Sequence, residues 1–184
     1  MDIIFICTKS ITFNTFLESQ ANYLLKRGLK VRVACSDIEN LNSKKIFKYR
    51  INFPTKYFHL INIFQYVKIF LQINSLIIKN KSSIFYLHTP VASILFRFFA
   101  LLYDLKVIYF VHGFRFTSKT KFFRSFFFKI IEKILSLKTK VFITINKEDF
   151  NYAKNNLYKR TPVYKINGVG LDLKSKQSKT LIKK

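Results

Sequence analysis

Tryptophan is absent from this chain of 184 residues, and cysteine, proline and glycine are scarce, at 2, 3 and 4. Two cysteines cannot staple a disulfide scaffold. So little glycine and proline excludes collagen and low-complexity linkers. Acidic residues are also short, 9 Asp and Glu against 33 Lys and Arg, for a formal charge of +24. Long apolar runs are missing. The longest stretch free of Asp, Glu, Lys and Arg is Ser82 to Phe96, which contains His88 and Pro90 and falls short of the roughly 18 residues of a membrane-spanning helix. No basic segment precedes Ile3-Ile4-Phe5-Ile6-Cys7, so no signal peptide is read at the start. These absences point to a cytoplasmic protein with reduced cysteines.

What is present is apolar and aromatic: 49% hydrophobic residues, with 22 Phe. That excludes intrinsic disorder, and the length suits one packed domain. The charge has two readings. Lys, Ile, Phe, Asn and Tyr are all inflated by AT-rich codons, and Lys outnumbers Arg by 26 to 7, although Arg is preferred for bidentate phosphate and base contacts. The alternative is an anionic partner: a phospholipid surface, a phosphate-bearing substrate or nucleic acid. No helix-turn-helix, zinc-finger or RNP signature supports nucleic acid. A non-catalytic basic module that binds anionic membrane or nucleic acid stays open as the second functional class.

Strand-length apolar runs alternate with helical patterns. Strands are expected at Ile3–Cys7, Val31–Cys35, Phe47–Tyr49, Ile84–Leu87, Lys106–Val111, Val141–Ile145 and Val163–Ile166. Phe13, Phe16, Leu17, Ala21, Leu24 and Leu25 have helical spacing, with Gly28 as a C-cap. Further helices are expected over Ile61–Ile78 (Ile61, Phe64, Val67/Lys68 and Leu71 on one face), Pro90–Tyr103, Phe122–Leu137 and Lys147–Asn156. The fold class is therefore α/β, a Rossmann-like parallel sheet flanked by helices. In such sheets ligands bind at the carboxyl ends of the strands. The loops there are Thr8-Lys9-Ser10, Ser36-Asp37, His88-Thr89-Pro90, His112-Gly113, Asn146-Lys147-Glu148 and Asn167-Gly168.

Four segments occur in a characteristic order: Ile84-Phe-Tyr-Leu-His-Thr-Pro-Val-Ala-Ser-Ile-Leu, Lys106-Val-Ile-Tyr-Phe-Val-His-Gly-Phe-Arg-Phe, Val141-Phe-Ile-Thr-Ile-Asn-Lys-Glu-Asp-Phe and Val163-Tyr-Lys-Ile-Asn-Gly-Val-Gly-Leu-Asp. Together with Phe16 to Asp37, they resemble the N-terminal half of family 4 glycosyltransferases, the bacterial capsular and exopolysaccharide type above all. The resemblance runs from residue 1 to about Asp172. It implies one half of a GT-B fold, in which this domain holds the acceptor and a second domain holds a nucleotide-sugar donor. The second domain's glutamate motif is not in the chain. Residues 1–172 are thus expected to form the acceptor-side domain, and 173–184 a basic tail at the start of a missing donor domain. The resemblance implies a retaining hexosyl transfer to a lipid-linked glycan by a chain inactive alone; its donor half is lost in a truncated or split gene or a fragment or, as a variant, is supplied by a separate polypeptide.

By this resemblance His112 is the catalytic residue that faces the donor sugar, and Gly113 lets the backbone approach it. Thr8, Lys9, Ser10, His88 and Thr89 are expected at the acceptor. The loop after the first strand lacks the Gly-Gly pair of many relatives. Thr89 also reads as an N-cap whose hydroxyl accepts from the first turn of the next helix. Asn146 reads as the cap of a later helix, with Glu148 and Asp149 in its first turn. Asn167, Gly168 and Gly170 fit the hinge between the two halves. The stretch Lys119–Lys140 interleaves bases with aromatics. Lys121, Arg124, Phe127, Lys129 and Lys133 read there as a surface for the inner face of the cell membrane, or else as a core helix with solvated lysines. Cys7 and Cys35 read as small core residues on neighbouring strands. His59, His88 and His112 have no metal-ligand spacing, so neither a metal nor another cofactor is expected.

Overall fold

The computed structural model describes residues 1–55, 63–116 and 121–168. Seven strands form one sheet: β1 (Asp2–Ile6), β2 (Lys30–Cys35), β3 (Phe47–Arg50), β4 (Ile84–Leu87), β5 (Lys106–Val111), β6 (Val141–Thr144) and β7 (Val163–Lys165). Their order is β3-β2-β1-β4-β5-β6-β7, and every pairing is parallel. The chain works outward from β1 to β3 and then returns to β4 on the other side of β1. The order therefore reverses between β1 and β4, the position where parallel α/β sheets open a crevice.

Helices cover both faces because the strands are apolar on both. On one face, Phe5, Val31, Val33 and Tyr86 pack against Phe13, Leu17 and Ala21. These three belong to a continuous helical stretch: α1 (Ser10–Thr12), a π-helical segment (Phe13–Leu17) and α2 (Glu18–Lys26). The helix thus begins at Ser10, inside the expected loop. Gly28 closes it at φ 79°, a left-handed conformation that glycine adopts without penalty. On the other face lie α3 (Ile63–Lys79), α4 (Pro90–Ala100), α5 (Phe122–Ser136) and α6 (Lys147–Asn156), over Ile4, Ile6, Phe85, Leu87, Val107 and Phe142.

In α3 the buried residues are Ile69, Ile73, Leu76 and Ile77, whereas Phe64, Val67 and Leu71 point to solvent. The face read from Phe64, Val67/Lys68 and Leu71 is thus the outer one. Both sides of this helix are apolar, so spacing alone could not choose between them. Ile61, His59, Lys119, Gly170 and the expected tail lie outside the described residues.

A buried ion pair ties α4 to α5. Arg97 Nη2 donates to both carboxylate oxygens of Glu132, at 2.9 and 2.8 Å. The guanidinium lies 4.1 Å from the centre of the Tyr109 ring, and its Nε donates to Ser93 O. Glu132 is therefore a core residue, in a helix whose outer side is basic and aromatic.

Candidate active site

The loops after β1, β4 and β5 meet at the point of strand-order reversal. Thr8 follows β1 and Thr89 follows β4. The Thr8 backbone N–H donates to Thr89 Oγ1 at 2.9 Å, and the two hydroxyls are 2.8 Å apart. Thr89 has φ +30°, the only positive φ outside glycine among the described residues. That conformation is unfavourable for a β-branched side chain. Its hydroxyl makes no cap bond to α4. This corrects the expected capping role: the hydroxyl instead joins two strands across the crevice.

Ser10 is buried and fully engaged. Its N–H donates to Asp37 Oδ1 at 2.7 Å, and its Oγ to Asp37 Oδ2 at 2.9 Å. Asp37, just beyond β2, thus sets a carboxylate on the first turn of the helical stretch, where its charge suits the dipole. Burial pushes the Asp37 carboxyl up, but the bonds from Ser10 outweigh it and hold the group below its ordinary value. Ser36 Oγ donates to Thr8 O at 2.5 Å. Of the three expected acceptor contacts on this loop, Ser10 and Thr8 are buried and internally bonded, and Lys9 is half-exposed.

His88 is wholly buried. Its ring lies 5.7 Å from Phe5 at 5° and 5.3 Å from Phe110 at 29°, with Tyr86 edge-on at 4.3 Å and 62°. His88 Nδ1 is 3.3 Å from His112 Nε2. Among the described residues its Nε2 has no hydrogen-bond partner. Burial, then the neighbouring His112, pulls the His88 pKa well below the ordinary 6.5. His112 is half-buried, and its pKa is also lowered by burial. Phe16, turned out of the π-helical segment, lies 6.5 Å from the His112 ring. The expected acceptor residue His88 thus stands behind His112, without exposed surface of its own.

Gly113 has φ 135°, and among the described residues nothing lies within 4 Å of where a Cβ would sit. The conformation itself, and not crowding, calls for glycine there. The next residue fixes the loop: Phe114 N–H donates to Asp149 Oδ1 at 3.2 Å. Asp149 sits in the first turn of α6. Its own N–H donates to the capping Asn146 Oδ1 at 2.8 Å, and its Oδ2 accepts from Asn146 Nδ2 at 2.5 Å. The Asn146 cap expected from sequence is present. That Asp149 also reaches the histidine loop had no local sequence signal.

Beyond this loop, α5 starts at the same end of the sheet. Lys121, Phe122, Phe123, Arg124, Phe126 and Phe127 are exposed, and so are Lys129 and Lys133. Only Phe128, Glu132, Leu135 and Ser136 of this helix are buried. At the far edge, Asn167 is exposed and Gly168 takes φ 93°. Cys7 and Cys35 are both buried at the ends of β1 and β2. A hydrogen bond with Cys35, and then burial, push the Cys7 thiol up.

The glycosyl transferase 4-like family profile matches residues 5–146, which include every loop of this crevice. The chain belongs to that family. Within 111 residues it is 32% identical to "Putative glycosyltransferase EpsD" of Bacillus subtilis (strain 168), covering 59% of this chain and 29% of that protein. Sucrose-phosphate synthase from Thermosynechococcus elongatus is similar over 90% of this chain and 47% of its own, with TM-score 0.65 and 11% identity. MurG from Acinetobacter baumannii is similar over 88% of this chain and 44% of its own, with TM-score 0.54 and 13% identity. At such identities the two structures speak for the fold alone. They place the sheet among the Rossmann-like domains of GT-B glycosyltransferases. The chain spans less than half the length of these proteins.

Proposed function

We propose that this chain is the acceptor-side half of a retaining glycosyltransferase. It acts with a donor-binding half that carries the nucleotide sugar, on a lipid-linked glycan of surface polysaccharide synthesis. Family membership and the similarity to a putative glycosyltransferase support glycosyl transfer. One observation carries the reading: His112, on a loop pinned by Asp149, stands half-exposed at the point of strand-order reversal. In this reading His112 and Gly113 face the donor sugar. Lys9, with the Thr8–Thr89 bridge and His88 behind it, forms the acceptor wall. A hydrogen-bond donor preorganised in such a site stabilises charge as the nucleoside diphosphate departs. Asn167 and Gly168 form the hinge toward the donor half.

The start of α5 supports a membrane-side acceptor. Its exposed Phe122, Phe123, Phe126 and Phe127, with Lys121, Arg124, Lys129 and Lys133, suit insertion at an anionic surface. No helix among the described residues is long and apolar enough to cross a membrane, so the contact proposed is peripheral, on the inner face of the cell membrane. Each lysine near such a surface adds up to about 1 kcal/mol.

The test is reconstitution. The chain, alone and mixed with a donor-half polypeptide of the family, is assayed for transfer from a nucleotide sugar to lipid-linked acceptor in anionic vesicles. Transfer only in the mixture, lost in His112→Ala, supports the reading. Full transfer by the chain alone would remove the need for a second half. Steeply salt-dependent DNA binding without vesicle binding would replace the reading with that of a basic binding module.

A further inference from the structure

We propose that His88 is a positioning residue for His112, fixing its ring and tautomer so that His112 presents an Nδ1–H donor to an oxygen of the bound sugar or leaving phosphate. This rests on the reading of His112 as the crevice-facing group, and extends it to a residue that touches no ligand.

The geometry constrains the protons. A hydrogen bond between His88 Nδ1 and His112 Nε2, 3.3 Å apart, needs one N–H and one bare nitrogen. If His88 carries its proton on Nδ1, His112 Nε2 is bare and its proton sits on Nδ1. If His88 carries it on Nε2, His112 must as well. The two rings therefore share one tautomer. Between the two choices, the environment of His88 Nε2 decides. That nitrogen is buried without a hydrogen-bond partner among the described residues. Orphaned buried N–H groups are rarer than orphaned acceptors, so the bare form is favoured there and both rings carry Nδ1–H. With Nε2 engaged, Nδ1 is the nitrogen left to His112 for a ligand.

The surroundings hold this arrangement. Phe5 and Phe110 clamp the His88 ring on both sides, Tyr86 closes its edge and Phe16 lies beside His112. Tyr86 is the titratable group among these four, and burial pushes its hydroxyl up, so it stays neutral. Both histidines are kept uncharged by burial. The backbone is fixed on either side of the ring: His88 N–H donates to Ile6 O at 2.8 Å, and Ser93 Oγ donates to His88 O at 3.2 Å. Thr89, with its positive φ and its bond to Thr8, follows directly.

Long-range nitrogen-15 correlation spectra of the full chain test this, because it has only three histidines and His59→Gln removes the third signal set. At neutral pH the expected result is a single Nδ1–H tautomer for both His88 and His112. In His88→Phe, which keeps an aromatic ring in the clamp, His112 should lose that single tautomer and titrate at a different pH. In His88→Gln, whose amide can still meet Nε2, most of the tautomer bias should return. Unlike tautomers in the wild-type pair, a shared Nε2–H tautomer, or a His112 spectrum unmoved by His88→Phe would overturn the proposal. If His88→Phe fails to fold, the wild-type spectrum still decides it. The spectra need no activity, so their failure is separable from failure of the transferase reading, which His112→Ala tests in the reconstituted assay.

Discussion

Asp149 Oδ1 accepts the backbone N–H of Phe114, 35 positions earlier in the chain, and so binds the first turn of α6 to the loop that carries His112. The same carboxylate is tied to the cap residue Asn146. A helix cap and a site loop thus share one side chain, and disturbing either disturbs both.

Asp149→Ala should therefore cost about 1–3 kcal/mol, the penalty of leaving a buried N–H without a partner. Denaturant unfolding would measure it. Asp149→Asn, which keeps an acceptor oxygen, should cost less. Equal losses in the two variants would show that the carboxylate charge, and not the bond to Phe114, matters there.

The Arg97–Glu132 pair makes a second prediction. Glu132→Gln strands a buried guanidinium and should cost roughly 3–5 kcal/mol. Replacing both partners, as Arg97→Met with Glu132→Leu, should recover most of that loss. A double variant no more stable than Glu132→Gln would mean that the pair is held for packing and not for charge balance.

A third concerns Thr89. Thr89→Val keeps the shape but removes the acceptor of the Thr8 N–H, and should cost about 1–3 kcal/mol. Thr89→Ser keeps the hydroxyl and sheds the branched methyl at φ +30°, and should be neutral or stabilising. Thermal unfolding of the two variants side by side checks the order.

The pH dependence follows from the sign of the histidine shifts. His88 and His112 both have folded-state pKa values below 6.5. As pH falls below about 6.5, the unfolded chain takes up protons that the folded one resists, so stability declines from there downward and is fully present above. His88→Phe should flatten this slope. Asp37 acts lower: its depressed carboxyl supports the fold above its unfolded value of 3.8 and loses that effect as pH falls through the folded one. A stability profile flat from pH 7 to pH 5 would contradict the histidine burial.

Much of the fold was legible in the sequence. Buried parallel strands are apolar on both faces, so runs such as Ile84–Leu87 and Lys106–Val111 declare themselves without partners, and both coincide with their strands. The Asn146 cap and the Gly28 stop are local chemistry and were equally readable. The helix α3 was legible in extent but not in orientation, because Phe64 and Leu71 are as apolar as Ile69 and Ile73. Thr89 departs from its local capping signal because its hydroxyl accepts instead from Thr8, in the loop after another strand.

Residue order alone thus specifies an alternating parallel α/β chain and the loops that must gather at one end of its sheet. Periodicity, caps and turn residues act over a few positions, so they can be read in order along the chain. Which of those loops touch is set by the packed fold. It put His88 behind His112, gave Ser10 to Asp37, and turned Glu132 into the buried partner of Arg97. These contacts join residues 24 to 35 positions apart, and they arise from strand order and helix packing, which no local pattern encodes.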